Sequence, residues 1–435
     1  MSEYGAVIAK ITEVKEIRGA DFIQSARVLG EWVIVKKDFG VGSVGVFFPV
    51  GSALSPKMCN QNNLYRKADS NIDPNVVGFL DPNGRIVALK LRGAISAGLF
   101  LPLNSLAWTG TNVEGLNSCI GKSFTEILGN PVCDRYNPPS AQEKTAANKA
   151  KSMRGKLSAG FSAPYFDKHV TTRQFKMTSA EIQKGNVLYF HNKRHGTSSR
   201  VSKGKVDLKL PRWKHLVNRF VKVFPTSEYR LLVGSRNVVL NEKADGFYGA
   251  NDFRHRVAKD LEPHLKAGMT IYSEICGYVG PQTMVMPVHD VTKTKDKAII
   301  ERFGKEVKYT YGCEPGELTN FIYRITITTD DGLIMDMPQR VMEQWCRDRE
   351  LLHTFEVHPP ILYDGDVDAL NKLLEELTER PDHLTADPEY PDQIAEGIIV
   401  REECGELIPK FYKSKSFWFR LLEGHNVYRD LEEDS

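Results

Sequence analysis

The sequence predicts an α+β protein, with a small N-terminal β-barrel ahead of a larger mixed α/β unit of antiparallel sheets and helices. Three observations predict it. Short β-branched and aromatic runs separated by Gly-containing turns fill residues 4–132. An Asn137-Pro138-Pro139-Ser140 step and a Lys/Ala/Ser-rich stretch then break the pattern. Beyond it, strand-like runs alternate with helical periodicity.

In the barrel the runs are 6–11, 25–29, 32–35, 44–50 and 85–91, with turns at 18–21, 30–31 and 40–42. Several short strands at this spacing favour an OB-type barrel, an architecture that recurs as a nucleic-acid module. The expected division is 1–133 for the barrel, 134–162 for a linker with a short helix over 141–153, and 163–435 for the second unit. In that unit, strands are expected at 186–190, 236–240, 269–273, 320–328 and 396–401. Helices are expected at 211–223, 338–352 and 367–379. Leu370, Leu373, Leu374 and Leu377 form an i, i+3, i+4, i+7 stripe that should face core.

A hydrophobic fraction of 41% and a charged fraction of 26% are ordinary for a globular chain. There is no apolar stretch long enough to cross a membrane as a helix, and no signal-peptide pattern, so an intracellular and in the first instance cytoplasmic protein is expected, nucleus or organelle remaining open. Seven scattered cysteines without a C-x-x-C pair argue against a zinc site or a disulfide framework. Net charge is only +3, but residues 141–222 are basic and 364–396 acidic, so a polyanion would prefer the former.

The richest stretch is His191-Asn192-Lys193-Arg194-His195-Gly196-Thr197-Ser198-Ser199-Arg200. It follows the apolar run Val187-Leu188-Tyr189-Phe190, so Lys193 should end a buried strand and enter a small polar Gly-Thr-Ser-Ser turn. Backbone N–H groups of such a turn accept an anion. An amine held among other cations loses its proton more easily and becomes a nucleophile. Lys413 and Lys415 lie two apart, so on a strand both point to one face.

Lys193-Arg194-His195-Gly196-Thr197 resembles motif I of the ATP-dependent RNA ligases, a branch of the covalent nucleotidyltransferases. Five further segments resemble that family's motifs in order: 233–240, 271–278, 321–325, 396–401 and 413–417. The resemblance implies a nucleotidyltransferase (ATP-grasp-like ligase) domain in which Lys193 attacks ATP. It further implies that Arg236, with Arg200, contacts phosphate, Glu274 the ribose and Tyr323 the adenine. Glu396 would hold Mg2+ or Mn2+, and Lys413 and Lys415 the ATP phosphates. The implied partner is RNA or an RNA-containing duplex, with no membrane and no partner protein.

Lys243-Ala244-Asp245-Gly246 is a rival nucleophile motif. Lys193 is preferred because no room for an arginine-bearing motif lies between Lys243 and Glu274, and because bulky Phe247-Tyr248 follows the rival. The first unit, through Arg18-Gly19-Ala20-Asp21 and 90–99, looks like the OB module ahead of the catalytic domain in one RNA ligase branch. There Lys36, Lys37, Lys90 and Arg92 are candidate phosphate contacts. DNA ligases and capping enzymes place such a domain after motif V, where only twenty residues remain here. The expected activity is therefore sealing of 3′-OH/5′-phosphate RNA ends, at nicks in duplexes, through a lysyl-AMP intermediate. A GTP-using guanylyltransferase and a non-catalytic nucleic-acid-binding protein are the alternatives.

Overall fold

The computed structural model describes residues 4–137, 161–240, 253–384, 390 and 393–426. The expected helix over 141–153 and the rival Lys243 lie outside them.

The first unit is a curled antiparallel sheet in the order Glu31–Lys36, Ile23–Val28, Ala6–Glu16, Val44–Pro49, Gly98–Pro102. Ala6–Glu16 pairs with Val44–Pro49 through residues 7–10 and with Ile23–Val28 through 11–16, with a register shift between Ile11 and Glu13. That shift bends the long strand so that one chain segment serves both sides of the barrel. The ends approach each other where Ala97 N–H donates to the Trp32 carbonyl at 2.8 Å. Alternate residues such as Ile11, Ala26, Val28, Val33 and Phe47 fill the interior. The nearly closed barrel thereby hides most of its strand edges.

The second unit is built on two large sheets. One runs Val239–Leu240, Ser227–Gly234, Thr197–Leu208, Met269–Gly280, Leu318–Thr328, Ile334–Asp336. The other runs Arg173–Gln174, Lys410–Lys415, Gly397–Glu403, Val187–Lys193, Glu356–Leu362, antiparallel except for its first pair. Side-chain alternation gives each sheet one core face. In the first sheet Val201, Ile271, Ile275 and Ile325 pack under helix Phe253–Leu261 and near Met342 of helix Gln339–Arg347. In the second, Leu188, Phe190, Ile398 and Val400 pack against Leu370, Leu374 and Leu377 of helix Val367–Thr378, as the leucine stripe requires.

Two expectations are corrected. Thr197 to Arg200 is no turn: it begins the twelve-residue strand Thr197–Leu208, and only Arg194 to Gly196 bridge the sheets. Small Ser and β-branched Thr fit a pleat paired on both sides, and neighbouring strands decide where the sequence is ambiguous. The strand expected at 236–240 is Ser227–Gly234 followed by a four-residue loop and the short Val239–Leu240.

The units meet over a shared core in which Ala88 and Ala97 of the barrel join Phe417, Phe419 and Leu422 of helix Phe417–Asn426. Glu31 of the barrel receives both terminal nitrogens of Arg420, at 2.9 and 3.0 Å, and Lys176 at 3.1 Å.

Candidate active site

The loop Arg194–Gly196 carries the chain from one sheet to the other, and a cleft opens where it crosses. The cleft, about 1020 Å³ counting the open space at its mouth, is lined by residues of both sheets. Lys193, Arg236, Glu274, Tyr323, Glu396 and Lys413 all line it.

Strand register sets the floor. Lys193 pairs with Gly397, which pairs with Lys415. The next row on the same face is His191, Ile399, Lys413, and the next is Tyr189, Arg401, Phe411. Alternate residues on three strands thus deliver cations at one end and apolar surface farther in. Lys193 Nζ lies 2.7 Å from Glu396 Oε1, and Lys415 Nζ lies 3.7 Å from the same oxygen. His195 Nδ1 stands 3.9 Å from Glu396 Oε2. Glu396 is only 1% exposed, so the two ammonium groups take the place of water around its charge. Lys415 also meets Glu423 at 3.0 Å.

The roof comes from the first sheet. Its register slips between Tyr272–Arg324 and Ser273–Ile322, leaving Tyr323 as the unpaired bulge residue. The slip lets consecutive residues, Tyr323 and Arg324, both reach the cleft. Arg236 enters from the loop between Gly234 and Val239. Gly196 is required at the crossing, since a Cβ there would stand 2.4 Å from the Ile275 carbonyl oxygen and 2.6 Å from Cys276 Sγ.

Other expected residues sit elsewhere. Arg200 is turned inward: it is 1% exposed, and its guanidinium donates to the Ser235 carbonyl at 2.6 Å and to that of Asp167. It braces the Arg236 loop and does not line the cleft. Lys90 bonds Asp296 at 2.9 Å across the two units, and Arg92 donates to the Gly19 carbonyl. Lys36 and Lys37 are exposed.

Several residues carried no sequence signal. His169 lines the cleft 5.4 Å from the Tyr323 ring. Burial, then the nearby Arg236 charge, push its pKa down to about 3, so it is a neutral ring at neutral pH. Arg194 is enclosed by the rings of Tyr311, Phe321 and Phe355 at 4.9, 4.9 and 5.6 Å and pairs with Asp382. The Tyr311 hydroxyl accepts from His195 N–H at 2.6 Å, so the loop beside Lys193 is clamped on both sides. Arg254 of helix Phe253–Leu261 donates to the Ser198 carbonyl at 3.0 Å and fixes the start of the next strand. His191, Glu343 and Glu356 also cluster, but Arg340 lies 2.8 Å from both carboxylates and already balances them.

The barrel and the two-sheet cleft together define an OB-fold unit joined to a larger mixed α/β domain. An OB-fold domain family matches residues 5–103. Over the whole chain the structure is similar to Naegleria gruberi RNA ligase. An apo mutant of that protein matches with a TM-score of 0.57 at 16% identity, over 98% of this chain and 100% of that one. Its complex with PPi gives 0.56 at 17%, over 98% and 99%. A mutant with ATP and Mn gives 0.54 at 16%, over 98% of each. No curated protein sequence matches the chain. The protein therefore shares its overall fold with this RNA ligase.

Proposed function

We propose that the protein is an ATP-dependent RNA ligase whose nucleophile is Lys193. One observation carries the reading: six polar and aromatic side chains from widely separated segments, each matching a ligase motif in sequence, converge on a single cleft. Structures of the similar Naegleria protein with ATP and Mn and with PPi support a nucleotide in such a cleft.

In this mechanism Lys193 Nζ attacks the α-phosphate of ATP. A P–N bond forms, the bond to pyrophosphate breaks, and the amine proton is given up beside Glu396 Oε1. Arg236, Lys413 and Lys415 hold phosphate oxygens and offset charge in the transition state. Tyr323 stacks on the base over Ile399 and Phe411, and Glu274 accepts from ribose hydroxyls. Glu396 suits a hard divalent cation, since its buried carboxylate faces the ammonium groups of Lys193 and Lys415, either of which a metal ion can replace. Mg2+ or Mn2+ bound there would supply charge stabilisation on the reacting phosphate. AMP next passes to an RNA 5′-phosphate. A 3′-hydroxyl then attacks that phosphate, seals the strand and releases AMP.

Mixing the protein with labelled ATP and metal should give a covalent AMP adduct that Lys193→Ala abolishes. An adduct that survives Lys193→Ala but is lost in Lys243→Ala would move the nucleophile to Lys243. Labelling by GTP in place of ATP would make the protein a guanylyltransferase, and no adduct with either would leave a binding protein. Sealing of nicked duplexes with RNA or DNA on each side of the break defines the substrate.

A further inference from the structure

The hairpin of Thr197–Leu208 and Ser227–Gly234 does not close in a tight turn. It is capped by helix Arg212–Phe220, which has no buried residue. Trp213, Leu216, Val217 and Phe220 fall at i, i+3, i+4, i+7, the spacing of a helix face made for contact. Here that face meets solvent: Trp213 is 58%, Leu216 59% and Phe220 80% exposed. Val221 and Val223 extend the stripe.

The cap is locally tied. Asn218 Oδ1 accepts from Val223 N–H at 3.1 Å and Phe224 N–H at 2.9 Å, while its Nδ2 donates to the Phe224 carbonyl at 2.7 Å. The Trp213 ring meets the edge of Phe224 at 5.4 Å. Its charge is one-sided. Lys209, Arg212, Lys214, Arg219 and Lys222 stand in a stretch with no Asp or Glu between Asp207 and Glu228.

Cations in that number complement a polyanion. The exposed rings narrow the choice. Aromatic faces stack on bases that are not already stacked, whereas a duplex is read through its backbone and 2′-hydroxyls. The position narrows it further. Ser198 lines the cleft and Leu208 ends the strand, ten residues on, or about 33 Å at about 3.3 Å per residue. The cap therefore lies far from the ends being joined.

We propose that the 209–224 cap is a docking site for an unpaired RNA strand, held by stacking on Phe220 and Trp213 and by the surrounding cations. The proposal rests on the RNA ligase reading for the identity of the polyanion. It makes the enzyme grip single-stranded RNA remote from the break, independently of the barrel.

The test is fluorescence anisotropy with a labelled single-stranded oligoadenylate of about 20 nucleotides, longer than one binding site. Phe220→Ala should weaken binding about 10-fold. The triple variant R212A/R219A/K222A should reduce the slope of log affinity against log salt by about 2, from about 0.7 per phosphate contact. AMP-adduct formation, which uses none of these residues, should be unchanged in both and reports intact folding. Unchanged strand affinity in both variants overturns the proposal. So does an equal loss on a blunt RNA duplex of the same length. Co-sedimentation with phosphatidylserine vesicles that the variants abolish, strand binding being untouched, would assign the cap to a membrane surface instead. If the wild type forms no AMP adduct yet its strand binding depends on Phe220, the ligase reading fails and the docking site stands.

Discussion

Glu31 links the barrel to the second unit through two cations, and Glu31→Gln tests that link. Burial alone would push this carboxyl up, but the charges and hydrogen bonds of Arg420 and Lys176 outweigh it and bring the pKa from 4.5 to about 2. A pKa lowered from 4.5 to about 2 corresponds to about 3 kcal/mol of folding free energy. The sign follows from the depressed acid. The stabilisation is fully present above pH 4.5 and is lost as pH falls from 4.5 towards about 2. At neutral pH Glu31→Gln should cost about 3 kcal/mol, because it leaves two partly buried cations facing an uncharged amide. Near pH 3 the folded carboxyl, with its pKa of about 2, is still mostly ionised while the unfolded one is mostly protonated, so the gap between wild type and variant should narrow by about 2 kcal/mol. Urea unfolding of both proteins at neutral pH and near pH 3 measures the gap. A gap of the same size at both pH values would show that the Glu31 charge does not hold the units together.

Three further outcomes are expected. Asp382→Asn leaves the Arg194 guanidinium in its aromatic cage without a counter-charge and should lower stability by about 3–5 kcal/mol in urea unfolding; a loss under about 1 kcal/mol would mean the cage alone suffices. Gly196→Ala forces the sheet crossing apart, since its Cβ would stand 2.4 Å from the Ile275 carbonyl, and should slow AMP-adduct formation roughly 100-fold; an unchanged rate would show the nucleophile is positioned without that close approach. The His169 ring should stay neutral down to about pH 3 by NMR titration, and because an unfolded histidine takes a proton near 6.5, folding should lose stability as pH falls below that value; titration near 6.5 in the folded protein would refute its burial.

The cleft residues were legible where chemistry restricts residue type. An amine beside a Gly step, a second and third lysine two apart, and carboxylates before β-branched runs stand out in one dimension, and Lys193, Glu274, Glu396 and Lys413 do line one cleft. What failed was local conformation. Thr197-Ser198-Ser199-Arg200 looks like a turn because small polar residues favour turns, yet strands on both sides draw it into a ladder. Arg200 looks like a phosphate ligand from its charge, but although it shares a strand face with cleft-lining Ser198, the Ser235 and Asp167 carbonyls capture its guanidinium. Lys90 looks like a backbone contact for nucleic acid until Asp296 appears 2.9 Å away from the other unit.

The sequence by itself determined the two-part α+β plan, the leucine face of Val367–Thr378 and the set of chemically committed residues, because periodicity and residue type are local properties of a chain. Only the tertiary structure decided how those residues act together. The bulge at Tyr323, the rows of register across Lys193, Gly397 and Lys415, and the Asp382 clamp on Arg194 all join segments that are distant along the chain. Pairing across such distances is fixed by which faces are buried, and burial is a property of the folded whole.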